Sequence, residues 1–238
     1  MPGAVLSHKR HIEVLVEDRS GGQIVSGLLR PALARRQAGW TYSIRRHRGV
    51  GHLPRDWQAK PGKLAAGLLQ LLPAELKAYR RDLGQSELAL VLVVLDADDH
   101  DSQDLFRTLK TLNHVVAPEL PVVIGIAVEE LEAWLLADRS ALLRAYPEID
   151  TAILDQYEQD SVCGTWEVLA RAILGPAAEQ LIKLGYPAVG QQKSEWAAQI
   201  APGLEPQRIN SPSFKRFYQY LTFCLDQFEA AGSEAADP

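Results

Sequence analysis

The sequence has little cysteine: Cys163 and Cys224 are the only two among 238 residues. Their spacing matches no metal-ligand pattern, and two cysteines make no disulfide framework. His47, His52 and His100 also lack the spacing of zinc ligands. A zinc site and a disulfide-stapled secreted fold are therefore not expected, and a reducing cytoplasm is the expected location.

Long hydrophobic runs are missing as well. No apolar run reaches the roughly 18 residues that a membrane-spanning helix needs, so no membrane association is expected. The N-terminal residues lack the apolar core and cleavage site of a signal peptide. Nor is there a Gly-x-x-x-x-Gly-Lys-Ser/Thr loop, so any use of ATP would need a separately encoded ATPase as partner. The sequence leaves open whether the chain forms a homo-oligomer.

The net charge of −5 is unevenly distributed along the chain. Residues 1–90 hold 15 Lys and Arg against 7 Asp and Glu, whereas residues 91–238 hold 10 against 23. A cationic first part suggests an anionic partner. The alternative is a molecule with one basic and one acidic face and no ligand.

Strand and helix patterns alternate four times before residue 140. Ser20 is expected to cap the first helix, and Pro31 to kink or split it. Such alternation predicts an α/β fold with a mainly parallel, Rossmann-like sheet flanked by helices. The predicted strands are residues 11–17, 40–47, 88–96 and 121–128, and the predicted helices are about 23–37, 62–81, 102–116 and 129–138.

Strand signals disappear after about residue 140. We predict a sheet domain over residues 8–140, a C-terminal helical appendage over 141–231 packed on it, and a flexible tail over 232–238. Ser211 is expected to cap the last helix, with Pro212 in its first turn. The predicted helical segments of the appendage are 140–146, 165–174, 176–184, 191–201 and 212–230.

Carboxylates follow three of the predicted strands. Glu17 follows the first, Asp96 and Asp98 the third, and Glu129 the fourth, with Glu132 about one helical turn further on. The carboxyl ends of parallel strands lie at one edge of the sheet, where such folds bind ligands. Because hard divalent cations take oxygen ligands, this pattern predicts a Mg²⁺ or Mn²⁺ site. The alternatives are helix capping by Asp98, Asp99 or Asp101, and a salt bridge or a solvated helix face at Glu132.

Residues 44–63 form a cationic stretch after the second strand. Three glycines and two prolines predict a loop, and such a loop is suited to contact a phosphate backbone. Trp57 is a candidate for stacking on a base; alternatively, it packs on the body of the domain. The candidate phosphate-binding residues are Arg45, Arg46, Arg48, Arg55, Lys60 and Lys63.

These residues resemble a known pattern. A glutamate after the first strand and a hydrophobic strand that ends in Asp-x-Asp resemble the TOPRIM domain of topoisomerases, primases and OLD-type nucleases. More closely, the chain resembles a bacterial TOPRIM-like family of unknown function that is often associated with mobile or defence loci. The stretches that carry the resemblance are VLVEDRSG, VVLDADDHD, AVEELEAWLLAD and KSEWAAQIAPGLEPQRINSPSF.

The resemblance implies a Mg²⁺-dependent, nuclease-like cleavage or transfer of phosphodiester bonds in a mobile-element or phage-defence system. Glu17 would act as general acid or base or as a metal-linked carboxylate, and Asp96 and Asp98 as metal ligands. A two-metal version would place a second ion at Glu129 and Glu132. Lys193 would contact phosphate. The chain departs from the pattern at Asp18, where many TOPRIM sequences have Gly.

Two other functions fit the same residues. A non-catalytic TOPRIM-fold module could bind a partner ATPase or nucleic acid, which the Asp18 departure and the acidic net charge favour. Phosphotransfer on a strand-end aspartate is a more distant alternative, because Asp96-x-Asp98 follows the third strand and not the first.

Overall fold

The computed structural model describes residues 10–36, 39–83 and 85–234. Four strands form one sheet in the order β2-β1-β3-β4, and every neighbouring pair is parallel. The predicted α/β class with a mainly parallel sheet is therefore confirmed. The strands are β1 (Arg10–Val16), β2 (Trp40–Arg46), β3 (Leu88–Asp96) and β4 (Val122–Ala127).

Helices cover both faces of the sheet, which explains the unbroken apolar runs of β3 and β4. Short 3₁₀ helices at Gly175–Ala177 and Ala201–Gly203 connect some of the later helices. The α-helices are α1 (Arg19–Ala34), α2 (Leu68–Asp82), α3 (Ser102–Val116), α4 (Glu132–Leu136), α5 (Arg139–Ala145), α6 (Thr151–Gln156), α7 (Thr165–Leu174), α8 (Ala178–Leu184), α9 (Ala188–Ile200) and α10 (Pro212–Glu234).

The two faces of the sheet carry separate hydrophobic clusters. On one face, strand residues such as Val14 and Leu92 pack with α1 and with the helices that follow β4, and this cluster includes the fully buried Trp134 and Trp196. On the other face, residues such as Val93 pack with α2 and α3. The helices after residue 140 thus share one core with the sheet.

The start and course of α1 differ from the prediction. The helix begins at Arg19 and is capped by Asp18, whose carboxylate accepts a hydrogen bond from the Gly21 backbone N–H at 2.8 Å. Ser20 was the predicted cap, but its hydroxyl donates to Asp18 instead. Pro31 does not split the helix, because α1 ends one turn later and only one backbone hydrogen bond is lost.

Other comparisons with the prediction concern where the helices begin and how many there are. Helix α2 begins at Leu68 and not near residue 62, because the loop after β2 extends further than its composition suggested. Helix α6 was not predicted, since six residues are too few for a periodic pattern. The predicted Ser211 cap is confirmed, because the Phe214 N–H donates to its hydroxyl at 3.1 Å.

The C-terminal end is helical further than predicted. Helix α10 continues to Glu234, and the remaining four residues of the predicted tail lie outside the described residues. Within the described ranges, no helix combines the length and apolarity needed to cross a membrane.

Candidate functional site

The candidate site lies at the carboxyl edge of the sheet, between β1 and β3. The chain leaves β1 toward β2 on one side and leaves β3 toward β4 on the other, so the connections diverge at this point. A crevice at such a switch point is the usual ligand site of open α/β sheets. Glu17 follows β1 and Asp96 ends β3, and the Asp96 backbone N–H donates to Glu17 Oε1 at 2.7 Å. Glu17 and Asp96, two of the predicted site residues, are therefore adjacent.

The connection after β4 closes one side of this crevice. The Leu131 backbone N–H donates to Asp96 Oδ1 at 2.8 Å, and the Asp98 N–H donates to the Glu129 carbonyl at 3.0 Å. Asp98 is exposed and has a left-handed backbone with φ of 46°. Asp tolerates this conformation better than most residues because of its short polar side chain. The edge of β3 and the start of α4 are thus held together through Asp96.

A buried lysine joins the carboxylates from the helical part. Lys193 on α9 is 5% exposed, and its Nζ lies 3.3 Å from Glu130 Oε1 and 3.0 Å from Glu132 Oε2. Glu132 is 1% exposed, and its Oε1 has no hydrogen-bond partner among the residues that the structure describes. The structure therefore brings Lys193 and Glu132 to the site and adds Glu130, which the sequence analysis missed.

Burial and crowding shift the ionisation of these groups. Burial, together with the charges of Asp98 and Asp18, raises the pKa of Glu17 to about 8, although the Asp96 N–H and Lys193 oppose the shift. Burial and the Glu17 charge also raise the pKa of Asp96 well above its usual range. A carboxyl that titrates near neutral pH in a crevice is typical of functional sites.

Burial and neighbouring charges also shift the pKa values of Glu130, just before α4, and of Lys193 on α9. Burial raises the pKa of Glu130 to about 7, with a further rise from Glu132 and an opposing effect of Lys193. Burial alone would lower the pKa of Lys193, but Glu132, Asp96 and Glu130 outweigh it and raise that pKa well above the usual range. One ammonium group thus faces several carboxylates, and the cluster has an excess of potential negative charge.

Glu129 does not join this cluster. Its carboxylate accepts hydrogen bonds from the backbone N–H groups of Gly164 (2.8 Å), Thr165 (2.9 Å) and Cys163 (3.2 Å), and from the Thr165 hydroxyl. Burial would raise the pKa of Glu129, but these donors outweigh it and lower the pKa. Glu129 therefore fixes the start of α7, a contact that no local sequence pattern indicates.

A Glu129→Gln substitution tests this structural role. The lowered pKa means that the Glu129 carboxylate stabilises the fold above its unfolded pKa of about 4.5, and that this contribution is lost as the pH falls through the folded pKa. We expect the variant to lose about 1–2 kcal/mol of unfolding free energy at pH 7, since the hydrogen bonds are charge-assisted but partly exposed. Urea unfolding at pH 7 and pH 3.5 measures this, and the difference should shrink at the lower pH. If the exposed control Glu148→Gln loses as much unfolding free energy as Glu129→Gln, the structural role of Glu129 is contradicted.

The cationic stretch begins at the same edge of the sheet. The Gly49 backbone N–H donates to the Glu17 carbonyl at 3.1 Å. The two ends of the loop are paired, because the Leu68 N–H donates to the Gly49 carbonyl at 2.9 Å and the Leu69 N–H to that of Val50 at 2.8 Å. Arg45 lies 3.7 Å from Glu75. Five other exposed cations have side chains that form no hydrogen bond or ion pair with any described residue: Arg46, Arg48, Arg55, Lys60 and Lys63.

Trp57 and His47 belong to the body of the domain. Trp57 is partly buried against the α2 and α3 face, and its carbonyl accepts a hydrogen bond from Lys77 at 2.8 Å. The His47 side chain is 2% exposed and contacts the Val16 carbonyl and Glu75. Neither side chain is exposed for contact with a ligand. Trp57 therefore packs on the body of the domain and is not a candidate for stacking on a base.

The residues at the crevice fit a divalent cation in ligand type and in charge. All candidate ligands are carboxylate oxygens, which Mg²⁺ and Mn²⁺ prefer, and an orphaned oxygen of Glu132 is buried beside them. Burial is the main cause of the raised pKa values of Glu17 and Asp96, and nearby carboxylates add to it, so a bound cation would favour their ionised forms. Across the described ranges, however, no three Asp, Glu, His or Cys side chains already form a cage around one ion position.

Comparison with curated proteins and with solved structures finds no match. One family model matches residues 16–222, a range that includes every carboxylate of the site as well as Lys193. The match covers most of the chain. The chain therefore belongs to the family described as Domain of unknown function (DUF4276).

Proposed function

We propose that the protein cleaves or transfers phosphodiester bonds of nucleic acid with the help of Mg²⁺ or Mn²⁺. The observation that carries the proposal is the contact of Glu17 with Asp96 at the switch point of the sheet, in a crevice where burial raises the pKa of Glu17 to about 8. The resemblance of these two strand ends to TOPRIM domains supports it. The same resemblance makes a mobile-element or phage-defence system the proposed setting.

Different residues of the site would have different roles in the reaction. Glu17 can hold or release a proton near neutral pH, which suits a general acid or base. Asp96 and the exposed Asp98 would hold the cation, and Lys193 would keep Glu130 and Glu132 in place behind them. When bound, a divalent cation supplies positive charge that stabilises the charge developing on the phosphate.

Exposed cations supply a surface for the polyanionic substrate. The stretch that begins at Arg45 starts beside Glu17, as the hydrogen bond from Gly49 to the Glu17 carbonyl requires. Cations without protein partners are suited to exchange their counterions for phosphates. Nucleic acid bound along this loop would therefore have a phosphate near the crevice.

A cleavage assay tests the proposal. Labelled single-stranded and double-stranded DNA and RNA are incubated with the protein and Mg²⁺, Mn²⁺ or EDTA. We expect cleavage only with a cation, and a rate at least about 100-fold lower in Glu17→Gln and Asp96→Asn. The matched control is Glu13→Gln, on the same strand, where the side chain contacts His11 and Tyr79. Activity that survives both site substitutions refutes the mechanism.

A non-catalytic module that binds a partner ATPase or nucleic acid is the second candidate. Two observations favour it: the part of the chain that the structure describes has no ready-made three-ligand cage, and Asp18 is occupied as the cap of α1. Calorimetry separates the candidates. Nucleic-acid binding without any heat from millimolar Mg²⁺ or Mn²⁺ favours the module, whereas cation binding that disappears in Asp96→Asn favours the enzyme.

A further inference from the structure

A second cleft lies between α3 and α10, at the free edge of β4. It encloses about 350 Å³ and shares no lining residue with the carboxylate crevice. Cavities of about 300–1,000 Å³ are typical of sites for small ligands.

The cleft has an apolar, aromatic interior. Ile124 and Ile126 of β4 form its floor, Phe106 contributes from α3, and Phe217 and Tyr220 contribute from α10. Ser102, Gln103 and Ser213 add polar groups where both helices begin. Aromatic rings contributed by both helices are suited to pack against a flat ligand.

Aromatic side chains continue outside the cleft. Phe106 and Tyr220 are each 39% exposed, and Phe223, one turn further along α10, is 56% exposed. The rings of Tyr220 and Phe223 are stacked, with centroids 6.5 Å apart and planes 19° apart. Large exposed aromatic groups of this kind mark interaction sites more often than isolated apolar residues do.

Both helices also bring cations to the cleft. The guanidinium group of Arg216 on α10 forms no hydrogen bond or ion pair within the described residues, and Lys110 Nζ lies 5.5 Å from the centre of the Tyr220 ring. Arg107 on α3 pairs with Asp104, but both side chains are 68% exposed, and exposed pairs of this kind are weak. The nearby Asp101 is occupied as the cap of α3. The cleft therefore favours a ligand that is both flat and anionic.

We infer that this cleft binds one nucleotide, with its base between Phe106 and Tyr220 and its phosphate at Arg107 and Arg216. Stacking on aromatic rings beside cations is how proteins bind unpaired bases without reading their sequence. The nucleotide is either free or part of a single strand. The inference rests on the proposed function only in taking nucleic acid as the source of a strand, because the cleft itself is separate from the carboxylates.

Binding measurements in EDTA test the inference without cleavage. The probe is a fluorescently labelled oligothymidylate of 12 nucleotides, and its binding is followed by fluorescence anisotropy. Thymidine 5′-monophosphate serves as the competitor. We expect Arg216→Ala and Tyr220→Leu each to weaken oligonucleotide binding about tenfold, and Arg216→Ala to reduce the salt dependence by about one phosphate contact. The matched control Arg81→Ala, an exposed residue at the end of α2, should bind like the wild type. Circular dichroism verifies that the variants are folded.

The outcomes separate the sources of the nucleotide and the two proposals. Competition by the mononucleotide supports a site for free nucleotides, and sensitivity to both substitutions without competition supports a nucleotide within a strand. Wild-type affinity in both variants overturns the inference. So does an absence of binding of both probes, the oligonucleotide by anisotropy and thymidine 5′-monophosphate by calorimetry. Binding that depends on Arg216 and Tyr220, together with no cation-dependent cleavage, retains the inference and refutes the proposed function.

Discussion

Replacing Glu17 by glutamine should make the cation-free protein more stable at pH 8.5. Burial raises the pKa of Glu17 from 4.5 to about 8, so the folded protein retains a proton between these pH values that the unfolded chain has released, and above them it holds a buried carboxylate. A raised pKa contributes stability that is present below the unfolded pKa of about 4.5 and is lost as the pH rises through the folded pKa. Glutamine resembles the protonated form and does not titrate, and its side-chain oxygen can still accept the Asp96 N–H.

The expected gain is large for a single substitution. We expect roughly 2–4 kcal/mol at pH 8.5 and little difference at pH 4.5, because each unit of pKa shift corresponds to about 1.4 kcal/mol and part of the shift is shared with Asp96. Urea unfolding in EDTA at the two pH values measures it. Adding Mg²⁺ at pH 8.5 should stabilise the variant less than the wild type, a partial loss of the Mg²⁺ effect, since the variant keeps Asp96 and Asp98 but has one carboxylate fewer beside them.

The control for this prediction is Glu13→Gln, which alters a carboxylate of the same strand away from the crevice. It should show neither the gain at pH 8.5 nor the loss of the Mg²⁺ effect. If wild type and Glu17→Gln are equally stable at pH 8.5, the Glu17 carboxyl is not held in the buried, proton-retaining state described above.

Replacing Lys193 by methionine should have the opposite effect. The substitution keeps an unbranched apolar chain but leaves Glu130 and Glu132 without their cation. Removing one partner of a buried ion pair typically costs about 3–5 kcal/mol, and we expect a loss of that size at pH 8. The loss should be smaller at pH 5.5, where Glu130, with a pKa of about 7, accepts a proton and no longer needs a counter-charge.

Thermal or urea unfolding at the two pH values tests this expectation. Lys183→Met, on an exposed position of α8, is the matched control and should be near neutral. The double variant Lys193→Met with Glu132→Gln should recover part of the loss, because it removes one of the uncompensated carboxylates. A loss that is the same at pH 5.5 and pH 8 would indicate a packing effect of Lys193 rather than an electrostatic one.

Part of the site follows from the sequence alone. The neighbourhood of Glu17 and Asp96 is predictable because parallel strands end at one edge of a sheet, and both residues stand directly at strand ends. The roles of Glu129 and Glu130 are not predictable in this way. Glu129 adopts a left-handed backbone with φ of 58°, and the turn that it forms decides which carboxylate faces Lys193. Such a turn depends on contacts with residues more than 30 positions away.

The fold, like the site, is only partly predictable from the sequence. Long apolar runs determine the strands, because both faces of the sheet are covered and every side chain of β3 before Asp96 is buried. Helix starts depend on single side chains, and here Asp18 and Ser20 compete for the same role. The long stretch before Leu68 has the composition of a loop but also the first apolar residues of a helix. Tertiary contacts decide between such alternatives.

The paired ends of the loop before α2 have a consequence for how the protein can diversify. Hydrogen bonds hold Gly49 to Leu68 and Val50 to Leu69, so the chain between them leaves and returns at one fixed point. The cost of closing such a loop grows only slowly with its length. Exposed residues of this loop, such as Lys60 and Lys63, can therefore be exchanged or joined by insertions without moving Glu17, whereas Leu53 and Trp57 are held by their packing on the α2 and α3 face.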